Sequence, residues 1–463
     1  MGWTPLPIGI ENYAEMIEKG YYYVDKTLFI KELLDRKGKV NLFTRPRRFG
    51  KTLNMSMLQY FFEKSERDHT PLFTGTKIMK AGEKYVSEMG RYPVIFLSLK
   101  SMKQDSYSSA FYCLKEGIAA EFKRHLELLR QLPLKEDFDK CRRFAAGKAE
   151  DTEYLTALRF LSECLAAVCE TKAVILIDEY DVPLENAYDR MAGLIRSLFE
   201  SVLKTNNALE FAVITGCLRI SRESIFTGLN NLNIISIMDN SYAEHFGFTQ
   251  EEVDTMLSFY HLESKRDSVK EWYDGYRFGD TEVYNPWSVI CYVDSCYKNP
   301  DALFKPYWSN TSSNSIVRTL VDRADLSVRQ EIESLIAGHT IFKPVHEDIT
   351  YEDMDSTQDH LWNFLFFTGY LKKIRQIQQE EDIFVEMSIP NIEVRYIYKN
   401  TVLRWFEESK NKKNLSPLYD SILSGRREQI ADILSENLME TISFYDYQES
   451  YYHGFLAGLL KNM

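Results

Sequence analysis

The chain alternates between short, mostly apolar runs and longer stretches in which apolar residues recur every three or four positions. The short runs fall at residues 40–43, 92–99, 173–177, 211–214 and 234–237. Runs with so little polar alternation predict strands buried on both faces, as in a parallel sheet covered by helices. Between them the spacing is helical. Leu53, Met57, Leu58, Phe61 and Phe62 share one side of a helix, and Phe111, Leu114, Ile118 and Phe122 form a stripe within a helical stretch over 108–143. A further helix is predicted over 152–169, and Met191, Leu194, Ile195, Leu198, Phe199, Val202 and Leu203 mark another. The expected architecture is α/β, with a five-stranded sheet inside residues 40–250.

The flanks read differently. Residues 1–39 are a lead-in, with 10–17 helical, 21–24 extended, and Asp25-Lys26-Thr27 capping a helix that carries Leu28, Phe29, Leu33 and Leu34. Residues 272–287 are rich in aromatics, Gly and Pro and predict a compact loop packed on the core, from which Asp274 and Asn285 are candidates to approach a ligand. An apolar helix over 361–371 is followed by two strands, 372–375 and 384–387, around a polar turn at 376–382. Helices and then a hairpin suit a winged helix, so 251–397 is expected to be a helical, winged-helix-like domain; such folds bind DNA or only protein. Residues 398–463 are expected to be helical, with helices at 402–408, 429–439 and 451–460.

Two of the predicted strands end in chemistry. After the first comes Thr44-Arg45-Pro46-Arg47-Arg48-Phe49-Gly50-Lys51-Thr52-Leu53, a turn opening into a helix. A triphosphate is bound well where unpaired backbone N–H groups converge on the positive end of a helix dipole. Lys51 would reach the β- and γ-phosphates and Thr52 would hold Mg2+, with Arg47, Arg48, Phe49, Gly50 and Leu53 completing the loop. The P-loop pattern asks for glycine where this chain has Arg45, so Gly-Lys-Thr by itself leaves a plain surface turn open. The third run ends in Ile177-Asp178-Glu179-Tyr180-Asp181, two carboxylates at the C-terminal edge of a sheet, where ligands bind in such folds. Asp178 would hold the metal through a water, and Glu179 would orient or deprotonate an attacking water. The fourth strand ends at Thr215-Gly216. Thr215 stands where a strand inserted between the P-loop strand and the acidic strand supplies a polar γ-phosphate sensor. Arg219 and Arg222 are candidate charge-stabilising arginines. Glu121-Phe122-Lys123 has the form of half a nuclease signature, but with no acidic strand nearby it reads as a solvated helix face. His453 reads as a helix-packing residue.

Composition narrows the classes. A chain of 463 residues has room for about two to four domains. A net charge of −12 argues against nucleic-acid binding by the whole surface, though Arg36, Lys37, Lys39, Arg45, Arg47 and Arg48 form a local basic stretch that phosphate or DNA would suit. No apolar run approaches the ~20 residues of a membrane span. The seven cysteines show no paired C-x-x-C spacing, which predicts reduced thiols in a cytoplasmic chain and no zinc site.

Taken together, Tyr23-Val24-Asp25-Lys26-Thr27, the Arg45-to-Thr52 loop, Ile177 to Asp181, Thr215-Gly216 and Ser224 to Leu232 resemble the bacterial AAA-ATPase-like family. Phe246-Gly247-Phe248-Thr249, Trp272 to Tyr276, Tyr284-Asn285-Pro286-Trp287-Ser288 and Tyr307 to Thr311 extend the resemblance over nearly the whole chain. In that family an Arg-Pro-Arg-Arg-Phe-Gly-Lys-Thr loop is usual, so Arg45 no longer counts against nucleotide binding. The resemblance implies an AAA-like P-loop NTPase core of the additional-strand class, residues 1–39 serving as lead-in and lid, and a C-terminal PD-(D/E)XK nuclease domain. Its helical start is expected from Tyr398, with the carboxylates and lysine of the nuclease site missing from this sequence. ATP and Mg2+ are the expected cofactors and slow ATP hydrolysis the expected activity. An ATP-set switch or scaffold, and the regulatory part of a DNA nuclease, stay open as alternatives. DNA, a protein partner and a homo-oligomer are the open partnerships.

Overall fold

The structure, a computed structural model, describes residues 4–184, 188–218, 225–226, 229–308, 326–346, 359–402 and 416–441. Strands β1 (Val40–Thr44), β2 (Val94–Ser98), β3 (Ala173–Asp178), β4 (Leu209–Gly216) and β5 (Leu232–Ile235) form one sheet in the order β2-β3-β4-β1-β5. Every neighbouring pair is parallel. β4 thus lies between the P-loop strand and the acidic strand, as the additional-strand arrangement requires.

Side chains alternate between the two faces along each strand. Phe43, Val174, Leu176 and Val213 join Met55, Leu58, Phe61 and Phe62 of the helix Lys51–Phe62 on one face. Leu42, Ile175, Ile177 and Ile214 join the helices Tyr107–Arg124, Ala157–Cys169 and Tyr188–Phe199 on the other. With both faces covered, the strands read as apolar runs in sequence, and each such buried Leu or Ile contributes roughly 1.5–3 kcal/mol.

The outer strand β2 carries a polar cluster that corrects one expectation. Lys123 is exposed, but Glu121 is buried, so the Glu121-Phe122-Lys123 stretch is not a solvated face throughout. The Glu121 carboxylate accepts from the Phe96 backbone N–H at 3.0 Å and pairs with Arg124 at 2.7 Å. Arg124 and His125 in turn donate to the Val94 carbonyl at 2.6 and 3.0 Å. The backbone polar groups of a sheet edge must go somewhere, and an anionic side chain serves an N–H as well as a strand does.

Beyond the sheet, the helix Arg266–Tyr273, the hairpin of β6 (Tyr276–Phe278) and β7 (Thr281–Val283), and the helix Pro286–Lys298 replace the expected compact loop. Next come the helix Leu326–Ile336, β8 (Ile341–Pro344), the helix Asp359–Phe367, β9 (Lys372–Gln379) and β10 (Asp382–Ser388), the strands pairing antiparallel in the order β8-β10-β9. β9 is longer than its expected 372–375 because residues 374–379 are exposed and polar residues suffice there, leaving only Glu380 and Glu381 to turn. The short helix Ile392–Ile397 and the helices Ser416–Leu423 and Arg427–Thr441 follow. Of the remaining expected helices, 451–460 with His453 and almost all of 402–408 lie outside the described residues.

Candidate nucleotide-binding site

The loop between β1 and the helix Lys51–Phe62 turns through two left-handed residues, Arg48 (φ 71°) and Gly50 (φ 81°). Gly50 caps the helix, which leaves the first-turn N–H groups facing the loop's concavity. Lys51 is almost fully buried, and its ammonium donates to the carbonyls of Arg45 at 2.9 Å and Pro46 at 3.0 Å, with Cys217 Sγ at 3.4 Å. Thr52 Oγ1 donates to Asp178 Oδ2 at 2.8 Å, which joins the helix to the tip of β3. Thr215 Oγ1 donates to the other oxygen of the same buried carboxylate.

The tips of β3 and β4 are stitched together. Tyr180 N–H donates to the Thr215 carbonyl at 3.0 Å, and Asp181 Oδ2 accepts from the N–H groups of Cys217 and Leu218 at 2.8 and 3.0 Å. A Cβ at position 216 would lie 2.5 Å from the Tyr180 ring, so this close approach requires Gly216. Glu179 sits here in the left-handed region at φ 55°. Burial, and then the charge of Asp178, push its carboxyl above the usual glutamate range, while Lys51 and Lys100 pull the other way.

A cavity of about 470 Å³ opens over these groups. Its cationic side holds Arg47, Arg48, Lys51, Lys100 and Lys103, with Glu179 and Asp181 beside them. Its apolar side is built by distant parts of the chain: Pro7, Ile10, Tyr22 and Val24 from the N-terminal segment, and Phe248, Trp287 and Ile290 from beyond residue 246. Small-molecule sites are typically of this size and this mixture.

Every expected loop residue from Arg47 to Leu53 lines the cavity, as does Glu179. Asp178 and Thr215 stand behind the lining, buried and bonded to each other. Arg219 and Arg222 lie outside the described residues. Asp274 and Asn285 are buried and absent from the cavity wall, and Asn285 instead caps the helix Pro286–Lys298, accepting from the N–H of Trp287 at 3.0 Å. Arg48 and Phe49 have second contacts: the Arg48 guanidinium lies 4.3 Å from the Trp287 ring centre, and the buried Phe49 ring packs on Tyr276 and Phe278 at 4.9 and 5.2 Å. Sequence reasoning missed Lys100, Lys103 and Glu11. No local pattern distinguishes them from surface charges. Trp287 was visible only within a familiar stretch of residues.

A parallel sheet with a strand between the P-loop strand and the acidic strand, and a Gly-Lys-Thr helix N-terminus joined to the acidic strand's end, define the α/β P-loop class of nucleotide-binding proteins. Residues 7–226 match the model of the AAA-ATPase-like family, described as predicted AAA-ATPase. A protein of Azotobacter chroococcum mcd 1, described as an uncharacterized protein in the vnfD 5′ region, is 29% identical over 438 residues, spanning 92% of this chain and 75% of that one. Among solved structures, the Walker-type ATPase PABY2304 of Pyrococcus abyssi overlaps with a TM-score of 0.42 at 14% identity, covering 86% of this chain and 99% of that one. The fold assignment stands on the strand order, not on that overlap. No helix among the described residues is long and apolar enough to cross a membrane.

Proposed function

We propose that this chain binds ATP with Mg2+ and hydrolyses it slowly, coupling the nucleotide to a protein or nucleic-acid partner. The observation that carries the reading is the 2.8 Å bond from Thr52 to Asp178, which brings the P-loop helix and the acidic strand to one point. Both are hard oxygen donors and fit Mg2+. Among the described residues there is no cluster of three His, Cys, Asp or Glu side chains suited to a metal, so the remaining ligands would be phosphate and water. The bound ion would neutralise phosphate charge. Lys51 would exchange its loop carbonyls for β- and γ-phosphate oxygens, the first-turn N–H groups would cradle the phosphates, and Glu179 would orient the attacking water and take its proton. Thr215 would act through Asp178, holding that carboxylate in place. The apolar side of the cavity would take the base.

Calorimetry with ATP and Mg2+, followed by phosphate release, tests this. Lys51→Ala should bind no ATP, and Glu179→Gln should bind ATP as the wild type does while turnover falls by about 10²-fold or more. Normal turnover by Glu179→Gln would remove Glu179 from its role.

A second reading, ATP as a conformational switch with little turnover, draws on how tightly the loop is held by the C-terminal half. Phe49 packs on β6, Arg48 stacks on Trp287, and a Cβ at Gly369 would lie 3.1 Å from Pro46. Loop movement on phosphate binding would be felt there directly. We propose that the helices Leu326–Ile336 and Asp359–Phe367 with β8, β9 and β10 act as a winged-helix-like unit and carry the partner contact; binding without turnover would favour the switch.

A further inference from the structure

Lys100 follows the end of β2, and the sheet register sets it beside the carboxylates. Ser98 pairs with Asp178, and the Leu99 N–H donates to the Asp178 carbonyl at 2.9 Å. Lys100 therefore emerges next to Glu179, whose carboxyl feels its charge along with that of Lys51, and all three line the same cavity. Among the described residues its ammonium is held by Glu11 of the N-terminal segment, with both carboxylate oxygens at 2.8 Å. Glu11 also lines the cavity. This pair is about half exposed on each side, 53% and 48%. Exposed ion pairs are worth only about 0–1 kcal/mol and are easily exchanged. A pair of that strength, built from residues far apart in sequence and placed on the wall of a cationic cavity, gives Lys100 a carboxylate that a phosphate can displace.

We propose that Lys100 is the residue by which this site tells a nucleoside triphosphate from a diphosphate, and that Glu11 competes with the γ-phosphate for it. The proposal rests on the nucleotide reading above. A γ-phosphate held by Lys51 comes to the tip of β3, between Lys51 and Lys100. A β-phosphate alone stays within the loop, where Lys51 and the N–H groups reach it and Lys100 does not. Displacing Glu11 also frees the N-terminal segment from the end of β2, so the segment that walls the apolar side of the cavity responds to the terminal phosphate.

The test is calorimetric titration of wild type, Lys100→Ala, Lys100→Arg and Glu11→Gln with ADP and with the β,γ-imido analogue of ATP, each with Mg2+. Lys100→Ala should lose roughly tenfold or more in affinity for the triphosphate, the size of one charged hydrogen bond, with ADP affinity unchanged. Lys100→Arg should restore much of the difference, and Glu11→Gln should bind the triphosphate more tightly than wild type with ADP again unchanged. Equal effects on both nucleotides, or on neither, would overturn the role of Lys100. A wild type that binds neither nucleotide would overturn the nucleotide reading itself, whereas ADP binding with no triphosphate-specific loss in Lys100→Ala would leave that reading standing and sink this one.

Discussion

The guanidinium of Arg45 is fully buried beneath the phosphate loop, donating to the carbonyls of Thr44 at 2.9 Å and Ile235 at 3.1 Å, between the rings of Phe246 and Phe278. Burial pushes its pKa down to about 9, with Asp239 opposing. The position that a glycine usually fills is here a tie between β1, β5 and the hairpin β6–β7. Gly-Lys-Thr was legible because it is a local pattern with a local cause, the helix N-terminus. The role of Arg45 was not legible, because Ile235, Phe246 and Phe278 lie far from it in sequence and its charge suggested a phosphate contact. Arg45→Gly would restore the more usual loop sequence, yet it should destabilise the protein by roughly 2–4 kcal/mol, since it strips a packed side chain and leaves buried carbonyls without donors. Urea unfolding would show it as a lowered midpoint.

Elements were most legible where both faces are covered. Four strands of the parallel sheet, β1 to β4, were found because burial on both faces removes the polar alternate, while the edge strand β5, only partly buried and with Asn233 exposed, begins two residues before its expected 234–237. The β9–β10 hairpin was shortened because one strand faces water. The ties between elements left no trace in periodicity. Glu393, on the helix Ile392–Ile397, is fully buried against the first turn of the helix Pro286–Lys298, where Ser288 Oγ lies 2.8 and 3.0 Å from its oxygens, and the Trp308 N–H donates at 2.9 Å. Burial raises its pKa from 4.5 to about 7, against the pull of these hydrogen bonds. The folded chain therefore keeps a proton that the unfolded chain has released between those two values, so this group's contribution to stability falls as pH rises from 4.5 to about 7 and is level above it. Glu393→Gln cannot ionise. It should gain on the wild type across that window, by on the order of 2 kcal/mol, in melting curves taken at stepped pH.

At the scale of the whole molecule, one apolar cluster runs from Tyr13 through the P-loop helix to Trp362 and Tyr398, so the N-terminal segment, the sheet and the C-terminal half share a core. The walls of the cavity follow from this. The N-terminal segment is fastened by buried Lys26, which donates to the Glu244 carbonyl at 2.7 Å and pairs with Glu252 at 2.5 Å. Spacing within a sequence window is blind to such pairings, which is why the chemistry at the strand ends could be read and the walls around it could not.

The side chains gathered on the outer strand bear on a different hazard. An uncovered strand edge is a template on which identical chains can stack into fibrils. On β2, the N–H of Phe96 and the carbonyl of Val94 are already engaged by Glu121, Arg124 and His125, so an arriving strand finds those sockets filled. Arg124→Ala should therefore aggregate faster than wild type under mild warming, seen as earlier light scattering and dye-positive fibrils, by more than its change in unfolding midpoint accounts for. On that outcome the ion cluster beside β2 would guard the sheet edge against pairing, a duty unrelated to any nucleotide.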